Sequence, residues 1–371
     1  MLRVVLVVSM AVAVLPLAQG PAKNVVLFLA DAGGIPVINA ASLQGYGAPR
    51  RLFVQRMPNI GLSDTTPTDG FVSDSAAGMT AIVTGQKTKN GVIAQSAEVQ
   101  RKVSDGKPLK TILEYAEERG MSTGIITNDA VTGATPATLY AKANDRGLTA
   151  LIYQQIFTPR FGDGPEVIIG AGRPAIAKAL IADKIDIDQW STEKGRPALR
   201  SLDEIEPSAT RALVVMESAA FDLQRAIRTT VGILSRNPRG YFLMVEWDTH
   251  TDNVRRGLDR MVQIDQAIER TAASTGGDTL ILFTADHSFD FRVRGGDPTQ
   301  PLLAGLDQAE AQAQVEGRTD VRTRAVQMTN NHTGEEVLVA AQGPGAHRVK
   351  GYLANTDLFG IMMDALGFKA N

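Results

Sequence analysis

No cysteine occurs in the 371 residues, which excludes disulfides, thiolate catalysis and cysteine-ligated zinc. Any metal must then be held by carboxylates, hydroxyls and imidazoles. Imidazole itself is scarce, with four histidines in the chain. Neither sign of charge dominates: 38 Lys and Arg stand against 40 Asp and Glu, a formal net charge of −2. No basic block of the kind that tracks a nucleic-acid backbone is present, so nucleic acid is not expected as a main partner. Long apolar runs are missing as well. The stretch Val4–Leu15 is apolar but ends at Pro16, short of the roughly 20 residues that span a bilayer. No stable membrane anchor is expected.

That same stretch follows Met1-Leu2-Arg3 and precedes the small residues Ala18 and Gly20, the arrangement of a secretory signal with its processing site. Residues 1–22 are therefore predicted to be removed on export to the periplasm or the exterior, leaving 23–371 as one large domain. Within it, Asn24–Ala30 is a continuous apolar run ending at Asp31, and Tyr241–Val245 runs likewise into Glu246. Thr279–Ala285 leads in the same way to Asp286-His287. Uninterrupted apolar runs mark strands buried on both faces, and ligands in open α/β sheets bind beyond the carboxyl ends of such strands. Leu258, Met261, Ile264 and Ile268 recur at helical spacing and would bury one helix face against the sheet. The fold class expected is α/β, a large, mostly parallel central sheet with helices on both faces. Residues from about 176 to 235, with the polar stretch Ser191–Pro197, read as an inserted cap.

Phe71-Val72-Ser73-Asp74-Ser75-Ala76-Ala77-Gly78-Met79-Thr80 places Ser75 where a small-residue helix begins, with Gly85 as its stop. Free N–H groups and the positive end of the helix dipole would hold a phosphate there, with Ala76, Ala77 and Gly78 admitting it closely. Taken alone, the segment is equally a helix cap. It resembles, however, the nucleophile motif of the alkaline phosphatase family, in which a serine directly after an aspartate becomes phosphorylated. The resemblance extends from Asn24 to Gly367. It implies that Asp31, in Asp-Ala-Gly-Gly where the family usually has Asp-Gly-Met-Gly, bridges two metals. It also implies that Thr135 of Ala134-Thr135-Pro136-Ala137 touches a magnesium-type site, and that Arg146, eleven residues on, forks onto phosphate. Gly133 stands where the family more often has Asp or His. Asp286-His287 resembles the adjacent ligand pair of the zinc that contacts the serine, and His332 of Asn331-His332-Thr333-Gly334 the last histidine ligand of the other zinc. His347 matches no role.

Met244–Asn253 is where the chain departs most from the family spacing, being shortened after Glu246. Glu246 fits the magnesium-type ligand. Asp248 and Asp252 keep a four-residue step, whereas His250 followed by Asn253 imitates the neighbourhood of the usual histidine. A helical turn would put Asp248 and Asp252 on one face, while an extended chain would pair Asp248 with His250. The helical register is preferred, because Thr251-Asp252-Asn253 precedes the helix around Leu258. Asp248 is then expected to bind the first zinc with His332, completed by Asp252 or His250. The cofactors implied are two Zn2+ and one Mg2+, serving the hydrolysis of small-molecule phosphate monoesters to an alcohol and inorganic phosphate through a phosphoserine. A homodimer is compatible with the resemblance. The alternatives are a phosphodiesterase of the same superfamily, or a non-catalytic phosphate- or metal-binding protein.

Overall fold

A strand covered on both faces must be apolar at nearly every position, and Asn24–Asp31 (β1) is buried along its whole length in the computed structural model, which describes residues 20–369. Asn59–Ser63 (β2), Ser122–Ala130 (β3), Val167–Ala171 (β4), Ala198–Leu199 (β5), Ala212–Val215 (β6) and Tyr241–Asp248 (β7) follow. After Thr279–Thr284 (β8) come Ser288–Val293 (β9), Val321–Arg322 (β10), Val326–Thr333 (β11), Val337–Gln342 (β12) and Gly351–Leu353 (β13). The main sheet has the order β13-β2-β12-β8-β1-β7-β3-β4-β6-β5, and β10-β11-β9 forms a separate small one. Every pairing in the main sheet is parallel except those of β12, which runs against β8 and β2.

Side chains alternate between two cores. Val25, Leu27 and Leu29 enter one, and Val26, Phe28 and Ala30 the other. The helices Ser75–Thr84, Ile112–Glu118, Ala134–Tyr140 and Asp357–Ala365 cover the first face, and Ile35–Tyr46, Leu223–Leu234 and Val254–Ser274 the second. The last of these buries Leu258, Met261, Ile264 and Ile268, the stripe read from the sequence.

The segment 176–235 does not form an inserted cap. It contributes β5 and β6 to the edge of the main sheet and the Leu223–Leu234 helix to one face. Buried Arg173 fastens it: Nε donates to Val215 O at 2.7 Å, and the guanidinium reaches the carbonyls of Ala198 and Leu199 and the carboxylate of Asp188. The part that builds its own layer is instead the stretch between β8 and β12, with the small sheet and the helix Leu306–Val315.

Because β8, β1, β7 and β3 are successive neighbours, their carboxyl ends meet at the middle of one sheet edge. Asp31 pairs across from Asp248, and Leu29 lies between Glu246 and Thr284. No helix among the described residues is long and apolar enough to cross a membrane. The predicted signal, 1–22, lies outside the described residues as far as residue 19.

Candidate active site

The Ser75–Thr84 helix is capped by Asp74, whose Oδ1 accepts the Ala77 N–H at 3.0 Å, and stopped by Gly85 at φ 72°. Ser75 is thus the first helical residue. It is 4 % exposed, and its Oγ lies 3.4 Å from both Asp31 Oδ2 and His287 Nε2. Gly78 serves this approach rather than the admission of a phosphate: a Cβ there would sit 2.5 Å from the Asp286 carbonyl oxygen, so only glycine lets the helix lie against the end of β8. Asp74 also accepts through Oδ2 from Gly91 N at 2.8 Å and from Arg146 Nη1 at 3.1 Å. One carboxylate therefore caps the helix and aims the arginine beside it. Ala32 adopts φ 61°, a left-handed conformation that favours glycine, which explains why the resembled family has glycine after the aspartate.

Three imidazoles converge. His287 and His332 stack with ring centroids 3.8 Å apart, and His250 Nε2 is 3.3 Å from His332 Nε2. Each ring has its Nδ1 engaged, His332 with Ser73 O at 3.1 Å, His287 with Ser288 O at 3.1 Å and His250 with Asp248 Oδ1 at 2.7 Å. With Nδ1–H donating in all three, the three Nε2 atoms face inward, the positions from which deprotonated imidazoles would hold a metal. The ligand atoms of His250, His287 and His332 all lie within 4.8 Å of one another, as do those of Asp31, Asp286 and His287. Thr135 and Glu246 lie beside Asp31 on the inner side, where Thr127 donates to Glu246.

The shortened segment resolves differently from the preferred register. β7 continues two residues past Glu246 to Asp248, and helix begins only at Val254, capped by Asn253. Asp252 is therefore not one helical turn from Asp248. It sits at the cavity mouth, paired with Arg256 at 3.1 Å. Asp248 has both oxygens engaged, Oδ1 by the His250 N–H (2.9 Å) and ring, and Oδ2 by Arg260 at 2.6 Å. Asp248 thereby orients the His250 ring. The extended chain, and not the helical one, brings His250 to His332.

Charge in the site is out of balance. Burial and then Asp286 push the Asp31 carboxyl well above its usual range, and burial, Asp31 and Asp129 do the same to Glu246. Burial lowers His287 and, with His287 beside it, brings His332 down to about 4. Burial opposes protonation of His250 too, yet the Asp248 hydrogen bond and the charge of Asp31 raise it to about 9. Asp31 Oδ1, Asp286 Oδ2 and the Thr135 hydroxyl are buried without hydrogen-bond partners among the described residues. Crowded acids, orphaned oxygens and inward Nε2 atoms are what bound cations would satisfy, so the residues fit metal ions.

Asp129 was not anticipated from the sequence. It lies next to last in β3, after Thr127 and Asn128, so no apolar run leads into it as one leads to Asp31. It lines, with Asp31, Ser75, Arg146, Asp248, His250, Asp252, Asn330 and His332, a cavity of about 370 Å³. A larger cleft of about 650 Å³ beside Ile35, Ile60 and Leu338 has Arg292 as its one charged lining residue and none of these groups.

The family model described as alkaline phosphatase matches residues 22–186 and 216–314. The tissue-nonspecific alkaline phosphatase of Felis catus is 28 % identical, the match covering 89 % of this chain and 80 % of that protein. Streptomycin-6-phosphate phosphatase of Streptomyces griseus is 28 % identical over 94 % of this chain and 91 % of its own. The solved structure of Thermus thermophilus alkaline phosphatase resembles the fold with a TM-score of 0.77 at 21 % identity, covering 95 % of this chain and 92 % of that one.

Proposed function

Since this chain belongs to the alkaline phosphatase family, a family of phosphoester hydrolases, we propose that it hydrolyses phosphate monoesters through a phosphoserine at Ser75. The observation that carries this reading is the position of Ser75 Oγ, at a helix N-terminus, 3.4 Å from Asp31 Oδ2 and His287 Nε2, with Arg146 held alongside by Asp74. The names of the cat and Streptomyces relatives, both phosphatases, support the monoester class.

In this reading His250 and His332 would hold one zinc, and Asp31, Asp286 and His287 the other. Asp31, Thr135 and Glu246 would hold magnesium. Bound there, the ions lower the pKa of a coordinated hydroxyl or water and stabilise charge on the leaving oxygen. The chain supplies the rest. Ser75 Oγ gives up its proton and forms the new P–O bond as the ester oxygen leaves and takes up a proton to become the alcohol. Water then breaks the bond from Oγ to phosphorus, its proton restoring the serine hydroxyl as inorganic phosphate is released. Arg146 and the helix N-terminal N–H groups hold the non-bridging oxygens. Asp248 keeps the His250 proton on Nδ1.

Initial rates on a phosphate monoester and a phosphate diester, before and after chelation, test the proposal. The monoester should be turned over faster by at least about 100-fold, a transition-state preference of ~2.7 kcal/mol. Chelation should abolish the rate, and zinc with magnesium should restore it. Faster turnover of the diester would overturn the monoester reading, and full activity after metal removal would overturn the centre.

A further inference from the structure

We propose that Asp129 supplies a carboxylate to the innermost cation, beside Asp31, Thr135 and Glu246, from the volume that position 133 leaves empty. The inference rests on the metal centre proposed above. It starts from a glycine that the backbone does not require. Gly133 has φ −55° and ψ 157°, an extended conformation open to any residue. Its lack of a side chain needs another cause, and the space supplies one: a Cβ at 133 would lie 2.6 Å from Asp129 Oδ2 and 3.3 Å from Asp129 Cγ. The carboxylate from the end of β3 already fills the place a side chain from the helix cap would take.

Asp129, an exposed residue near the end of β3, lines the same cavity as Asp31, and its charge bears on both Asp31 and Glu246. Asp129 N–H donates to Thr127 Oγ1 at 2.8 Å, and the Thr127 hydroxyl donates in turn to Glu246 Oε2. The Thr127 hydroxyl thus joins the backbone at Asp129 to the Glu246 carboxylate. The Thr135 hydroxyl, on a residue 1 % exposed, and Asp31 Oδ1 are buried there without partners among the described residues. No ion pair joins Asp129 to a cationic side chain among the described residues. Arg146, which lines the same cavity, is engaged by Asp74 at 3.1 Å. Asp129 opens on the cavity, so water and an entering ion reach it.

The test is magnesium binding to zinc-loaded protein, followed by calorimetric titration and by the rise of Tm with Mg2+. Asp129→Asn keeps the side-chain shape and should weaken magnesium binding by about 10–100-fold, with zinc content and the magnesium-free Tm unchanged. In the double variant Asp129→Ala with Gly133→Asp, the carboxylate returns from the other side. A 2.9 Å approach to Ala130 O is left to a small shift of the turn, and magnesium affinity should recover at least in part. Equal magnesium affinity in wild type and Asp129→Asn overturns the role of Asp129 while leaving the centre intact. The same holds if only phosphate inhibition weakens, which would place Asp129 on Arg146. A zinc-loaded wild type that takes up no magnesium overturns the inner site and this inference together.

Discussion

Arg146 shows how a surface-capable side chain becomes part of a site. Its side chain is 36 % exposed, and in the sequence only its spacing of eleven residues from Thr135 sets it apart from a solvated arginine. Its direction comes from Asp74, a residue whose local duty is to cap a helix. Because the guanidinium would meet the anion and not the cations, Arg146→Ala should raise the inhibition constant for phosphate by about 10–100-fold, the loss of a charge-assisted pair worth ~1.5–3 kcal/mol. Zinc content measured on the same sample should not change. Unchanged phosphate inhibition would return Arg146 to the surface. The positions of Asp31, Asp286 and His287 at the ends of apolar strands and of Ser75 at the start of a helix were legible in the sequence pattern, whereas the roles expected of them came from the family resemblance. Asp129 and the orienting function of Asp248 were not legible, since a lone acid after Thr-Asn reads as a turn, and since the direction of Asp248 depends on Arg260, twelve residues on in the next helix.

Strands and helices were legible in proportion to their length and burial. β1, β7 and β8 announce themselves as apolar runs because helices cover both faces, whereas β5, with two residues, and β6, with four, are too short to carry a period, and their polar surroundings imitate a cap. The register after Glu246 was not decidable either. Thr251–Asn253 caps a helix in both readings, and what distinguishes them is the pairing of Asp31 with Asp248, a long-range contact. One element carries a pH-dependent cost. In the helix Ile112–Glu118, burial raises the Glu117 carboxyl to about 7, against hydrogen bonds from Thr123 at 2.6 Å and from Gly164 N–H at 3.1 Å. Its folded pKa lies above its unfolded value of 4.5. Between these values the folded state holds more protons than the unfolded one, so stability falls as pH rises and levels off above about 7, by up to ~3 kcal/mol. Tm of Glu117→Gln relative to wild type should therefore move in favour of the variant from pH 5 to pH 8. A difference independent of pH would show that Glu117 is ionised in the fold throughout.

The sheet as an assembly is what turns scattered residues into one centre. Ser75 and His332 are separated by most of the chain, yet His332 donates to Ser73 O, two residues before the serine, because the end of β11 meets the loop that leads into the Ser75–Thr84 helix. Gly78 sets the seating of that helix on β8, and neighbouring strand ends bring Asp31, Glu246, Asp286 and Asp129 together. The acids so gathered repel one another unless cations join them, which makes folding geometry and metal demand two expressions of one arrangement. The most direct measurement is acid quenching during turnover of a phosphate monoester, with the phosphoryl group located by mass spectrometry. A phosphoryl group on Ser75 of the wild type, absent from Ser75→Ala whose turnover has fallen by at least about 1,000-fold, is the expected result. Steady release of phosphate with Ser75 unmodified, or near wild-type turnover in Ser75→Ala, would contradict it.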